Sequence, residues 1–199
     1  MEKEMAEAKI VKLILLKEGT YDLKDSLTIE CPLSIHGAGQ DKTFIRGKSI
    51  YIQGEKEEGK KVELKHMTIS ETRYNGVECD DGLSWLCDSL TITQCRQNGV
   101  KATNTKGRLI NCVITQCGMS GITCYRNSLI ELEGDQTKVV GNVTRGSGYG
   151  YGLDTYNTSS TIHLLFPLTK ESVSTHNLGG GNYGGYNGDG TIETVKSFA

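Results

Sequence analysis

The sequence predicts an all-β chain wound as one single-stranded, right-handed parallel β-helix, with a short helix capping its N-terminal end. Three observations carry that expectation. The first is a repeat of about two dozen residues across 62–132: Ile69, Ile92 and Ile114 are 23 and 22 residues apart, and so are Gly76, Gly99 and Gly121. A unit this short cannot bury its own apolar face and must stack on its neighbours. The second is alternation: Met67-Thr68-Ile69-Ser70 and Leu90-Thr91-Ile92-Thr93 have strand periodicity, and no repeat contains a helical run. The third is the turn chemistry, with Asn75-Gly76, Asn98-Gly99 and Ser120-Gly121 at matching positions.

The parallel stack dictates columns, each residue lying on its equivalent one coil away at ~4.8 Å. Thr72/Cys95/Cys117 and Cys79/Ala102/Cys124 read as small inward columns. Leu64, Leu86, Leu109 and Leu132, spaced 22, 23 and 23 residues apart, read as another. Asp81/Asn104/Asn127 reads as a turn ladder that Asn157 continues, because Asn tolerates left-handed backbone.

In chain order, residues 1–9 are helix formers and are expected to cap the solenoid. Short strands follow at 13–16, 27–29, 33–35 and 43–46, with turns at Gly19, Pro32 and Gly37-Ala38-Gly39. Residues 54–61 form a charged loop, and the repeats then run to about Leu132. Beyond it the step from Gly121 to Gly152 is 31 residues, an insertion of about eight. Strands resume at 152–156 and 161–166, with another expected at 172–174. Residues 1–199 thus form one domain: the cap at 1–9, coils over 10–175, and a Gly-rich, loop-like segment over 176–199 with a closing strand at 191–195.

Residues Gly19-Thr20-Tyr21, Ile35-His36-Gly37-Ala38-Gly39 and Thr43-Phe44-Ile45-Arg46-Gly47 resemble the first coils of the pectate-lyase-like superfamily. That resemblance implies the fold. It carries no catalytic residue.

Composition narrows the function. The net charge of −2 offers no basic excess for nucleic acid. The apolar run at 10–16 is too short to span a membrane. Seven cysteines, an odd number without metal-binding spacings, read as buried free thiols acting as small hydrophobes, which favours an intracellular setting. The four histidines fall in separate coils without a shared column. Trp85 falls on an outward phase beside Leu86. Asn142-Val143-Thr144 and Asn157-Thr158-Ser159 are formal glycosylation sequons.

Three candidate sites follow. Glu78, Asp80 and Asp81 form an acidic group. Resemblance to pectate lyases implies that such carboxylates hold calcium, which stabilises charge while a base removes a proton from a uronate. Tyr151-Gly152-Leu153-Asp154 resembles the start of the alginate C5-epimerase motif, but Thr155-Tyr156 replaces the Pro-His that follows there, so an acid/base group is missing. The third is a polar and aromatic face: Tyr74, Arg96, Lys101, Tyr125, Tyr151 and Tyr156, with Tyr125 and Tyr156 sharing an outward column above Thr103 and Asp80.

The central coils are nearly loopless, whereas enzymes of the superfamily wall their grooves with long loops. The expected function is therefore a non-catalytic module binding a glycan or a protein partner on one solenoid face, without a cofactor. The alternative is a polysaccharide lyase or epimerase acting on a uronate polymer, with Asp80, Asp81, Arg96 or Asp154 in the site and calcium in the lyase case.

Overall fold

The computed structural model describes residues 12–55, 59–146, 150–156, 159–186 and 190–196. The expected cap at 1–9 and the ladder position Asn157 lie outside the described residues.

The chain winds three strands per coil. The first coil is β1 (Lys12–Leu15), β2 (Gly19–Asp22) and β3 (Leu27–Ile29). The second is β4 (Leu33–His36), β5 (Thr43–Arg46) and β6 (Ile50–Gly54). In the third and fourth, β7 (Lys61–Ser70) and β9 (Ser84–Thr93) each run around a corner and serve two faces; β8 (Val77–Gly82) and β10 (Val100–Thr103) complete those coils. The fifth is β11 (Lys106–Ile110), β12 (Val113–Thr115) and β13 (Ile122–Tyr125). The sixth is β14 (Leu129–Glu133), β15 (Lys138–Val140) and β16 (Tyr151–Tyr156). The seventh is β17 (Thr161–Leu165), helix α1 (Lys170–Val173) with β18 (Ser174–Thr175), and β19 (Gly181–Tyr186). Strand β20 (Thr191–Val195) then pairs with β17. Every pairing is parallel, as stacked coils require.

The faces carry the expected columns. Ile45, Ile69, Ile92, Ile114 and Val139 stack on the second face. Ile52, Cys79, Ala102 and Cys124 stack on the third. Asp81, Asn104 and Asn127 all have left-handed φ, at 47°, 52° and 60°, and Asn104 Nδ2 donates to Asp81 Oδ1 at 3.0 Å. The other two corners are built the same way, from His66/Ser89/Asn111 and Glu71/Gln94/Gln116, with φ between 50° and 55°.

One column is corrected. Leu64 pairs with Cys87, and Cys87 with Leu109, so Leu86 leaves that column and sits over Glu63 and Arg108 instead. The shift by one residue turns Trp85 inward, where it is 2% exposed between Val62 and Gly107. The interior has room for an indole only because the next rung is glycine: a Cβ on Gly107 would lie 1.9 Å from Trp85 Cε2.

Three further expectations change. Of the strand expected at 172–174, Ser172 and Val173 belong instead to helix α1, which Thr169 and Ser172 open with a reciprocal capping box, and only Ser174 is strand. Strand β2 occupies what read as the Gly19 turn, pairing Tyr21 with Ile45. Part of the Gly-rich segment is strand rather than loop: residues 181–186 pair with β16. Gly180 and Gly184 make room there for the Tyr151 ring, which a Cβ at either would meet at 2.6 and 2.4 Å.

Candidate functional site

The third face, β3-β6-β8-β10-β13-β16-β19, carries most of the candidate residues. Strand alternation gives it two outward columns. One reads Tyr51, Glu78, Lys101, Thr123, Asp154. The other reads Gln53, Asp80, Thr103, Tyr125, Tyr156. The shared column of Tyr125 and Tyr156 is as expected, and the rings stack with centroids 4.8 Å apart and planes tilted by 37°. Lys101 Nζ lies 6.0 Å from the Tyr125 centroid. It also donates to Glu78 Oε1 at 2.7 Å. Burial pushes the Tyr125 hydroxyl up to about 12, with the nearby Asp154 and Tyr156 adding to it.

The acidic group does not converge. Glu78 is taken by Lys101 and by Asn75 Nδ2, at 2.9 Å. Asp80 Oδ2 accepts from Tyr51 Oη at 3.1 Å, and Asp81 turns away at the corner to accept from Asn104. Burial, then the Asp80 charge, pushes the Tyr51 hydroxyl up to about 12. Among the described residues no three His, Cys, Asp or Glu side chains converge to hold a metal ion. The donor set therefore does not fit the calcium cage that resemblance to lyases implied.

Asp154 is on an outward column yet only 4% exposed. Ser120 Oγ donates to its Oδ2 at 2.7 Å and accepts from Tyr151 N–H at 3.2 Å. Asp154 Oδ1 is buried without a partner. Burial raises this carboxyl to about 6, with the Ser120 hydrogen bond pulling the other way. The matching positions two and three coils back are Lys101 and Glu78, so Asp154 and Asp80 stand three coils apart, ~14 Å along the axis.

Tyr74 and Arg96 lie elsewhere, at the corner that leads from the second face into the third. They line a groove of about 640 Å³ with Arg73, Gln97, Met119 and Arg145. Arg145 was not among the expected binding residues. Its place at this corner follows from the insertion before Gly152, which hides its register in the sequence.

Three other features complete the picture. His36 and His66 lie in separate coils without a shared column, as expected, His36 pairing with Lys65, yet their rings meet edge to face at 6.5 Å. Asn142 is fully buried, its Nδ2 donating to Asn177 Oδ1 at 3.0 Å, so it is no glycosylation acceptor in the folded chain. A buried asparagine ladder also went unrecognised: Asn98 Nδ2 donates to Asn75 Oδ1 at 2.9 Å, and Asn98 Oδ1 accepts from Ser120 N–H at 3.1 Å. The recurring Asn75-Gly76 and Asn98-Gly99 were its visible signal.

Residues 22–166 match the family model described as the right-handed β-helix region. Compared with curated proteins and with solved structures, the chain gives no match. Among the described residues no helix is long and apolar enough to cross a membrane.

Proposed function

This chain belongs to the right-handed β-helix family, and from that premise we propose that it is a non-catalytic binding module that holds a glycan along its third face. The observation that carries the reading is the Tyr125/Tyr156 stack, one coil apart, with Lys101 beside it. Tyrosine offers an apolar ring and a polar tip, the combination that suits a sugar face with its hydroxyl rim. A solenoid repeats such groups at one-coil intervals, so a repetitive polymer meets successive rungs. Catalysis asks for more: an acid and a base converging on one bond. Asp80, Asp81, Arg96 and Asp154 lie on different columns and corners and do not meet at one point.

Affinity electrophoresis through gels cast with neutral and uronate polymers tests this. The protein is retarded by at least one polymer, and Tyr156→Ala weakens the retardation about threefold to tenfold. Equal mobility in every gel, or retardation that ignores both Tyr125→Ala and Tyr156→Ala, contradicts the reading.

One observation favours a second reading, a uronate lyase or epimerase: Asp154 is a buried carboxyl brought to about 6, suited to proton transfer near neutral pH. Absorbance of unsaturated uronate on pectate and alginate, with and without calcium, tests the lyase form. A rise abolished by Asp154→Asn supports it; a flat trace removes it.

A further inference from the structure

The corner between the second and third faces carries an arrangement that the glycan reading does not use. Arg73, Arg96 and Gly118 occupy one column: Arg96 N–H donates to Thr72 O at 2.8 Å and Gly118 N–H to Cys95 O at 2.8 Å; on the next coil Thr144 N–H donates to Cys117 O at 3.1 Å and Arg145 N–H to Gly118 O at 3.2 Å, so Arg145 enters one residue past that column. The neighbouring column is Tyr74, Gln97, Met119, joined by Gln97 N–H to Tyr74 O at 3.0 Å and Met119 N–H to Gln97 O at 3.0 Å. Gly118 is the rung without a side chain, and the Arg145 stem fills it: a Cβ on Gly118 would meet Arg145 Cδ at 2.8 Å. Arg145 therefore lies back across the empty rung toward Arg96.

Among the described residues none of these three arginines forms an ion pair. The acid at this corner, Glu71, faces Arg46 at 3.7 Å. A fourth cation, Lys48, stands 5.2 Å from the Tyr74 centroid. Like charges on neighbouring rungs of a parallel stack repel and destabilise it. On a chain whose net charge is −2, this is a local concentration of uncompensated positive charge. Beside it Tyr74 and Met119 are 48% and 39% exposed. Arginine, tyrosine and methionine together are the composition of a protein-binding surface.

We propose that the groove lined by Arg73, Arg96 and Arg145 docks an acidic polypeptide segment, whose carboxylates pair with these three guanidinium groups while its apolar side chains rest on Tyr74 and Met119. The planar fork of arginine matches a carboxylate with two parallel hydrogen bonds. The apolar neighbours select a peptide over a sulfated glycan or a nucleic acid, which would use the charges alone. The site is separate from the Tyr125/Tyr156 face, so either can fail without the other.

The test is fluorescence anisotropy of the full chain with a short dye-labelled peptide alternating Glu and Leu. Its Gln/Leu counterpart, a heparin oligosaccharide and a labelled DNA oligonucleotide are run in parallel. The Glu/Leu peptide binds saturably, more tightly than the Gln/Leu one. Arg96→Gln weakens it about tenfold, Met119→Ala weakens it further, and Tyr156→Ala leaves it unchanged. Arg73→Gln and Arg145→Gln give independent readings should Arg96→Gln lower the melting temperature. The proposal is overturned by equal binding of the two peptides, by binding that ignores all three arginine variants, or by heparin or DNA binding through these arginines while the peptide stays free.

Discussion

Trp85 and Gly107 occupy successive rungs of one inward column, and among the described glycines none leaves a Cβ less room than Gly107. Replacing Gly107 with Ala drives a methyl into the indole, and overpacking of this kind costs about 3 kcal/mol. Urea unfolding of Gly107→Ala measures it; a midpoint equal to that of the parent chain contradicts the packing. Neither the indole's inward phase nor the role of Gly107 was legible in the sequence. Leu86 and Cys87 are both apolar, so alternation alone did not say which of them follows Leu64. Asp154 poses the opposite problem, a charge where burial disfavours it. Its folded-state value near 6 exceeds the ordinary 3.8, so the fold favours the protonated form. That contribution is fully present below pH 3.8 and is lost as pH rises through 6. Between those limits the parent chain loses about 2–3 kcal/mol relative to Asp154→Asn. Chemical unfolding of both proteins across that range checks the sign, and parallel profiles refute it.

At the scale of the element, each coil is three short strands joined by corners of left-handed backbone. Only the Asp81/Asn104/Asn127 corner was legible, because Asn and Asp advertise that conformation. Glu71, Gln94 and Gln116 do not, yet they hold φ of 54–55° because stacked neighbours fix the corner from both sides. The same stacking turns a Gly-rich segment into β19, since Gly180 and Gly184 are cut to fit Tyr151. Inside the coil the Asn75/Asn98 ladder satisfies backbone groups that the turns leave unpaired. Asn98→Ala strips a partner from Ser120 N–H and from Asn75, and each buried group left without one costs about 1–3 kcal/mol. Thermal melting should place this variant well below Tyr74→Ala, which removes an exposed ring. The reverse order contradicts the ladder's role.

The described residues form a stack in which each coil pairs its strands with the coils beside it, and the repeat period made that architecture legible before any side-chain contact was. The thiols report on the stack. Cys79, Cys87, Cys112 and Cys124 are buried and held protonated, the first two well above the usual range and the others up to about 12. Of the seven cysteines only Cys31 is exposed. A thiol reagent should therefore modify Cys31 at once and the other six only on unfolding; rapid reaction of more than one contradicts a closed interior. The two candidate surfaces were unequally legible: Tyr125 and Tyr156 share a column within the repeat, whereas Arg145 joins the groove of Arg73 and Arg96 only across an insertion. The central claim is that this solenoid holds a glycan without altering it. Titration calorimetry against the polymer that retards the protein, with the bound fraction recovered and its proton NMR spectrum recorded, tests that directly. Saturable binding, weakened by Tyr156→Ala, with a ligand of unchanged length and stereochemistry, is the predicted result. A shortened, unsaturated or epimerised product would contradict it and return Asp154 to the centre of the site.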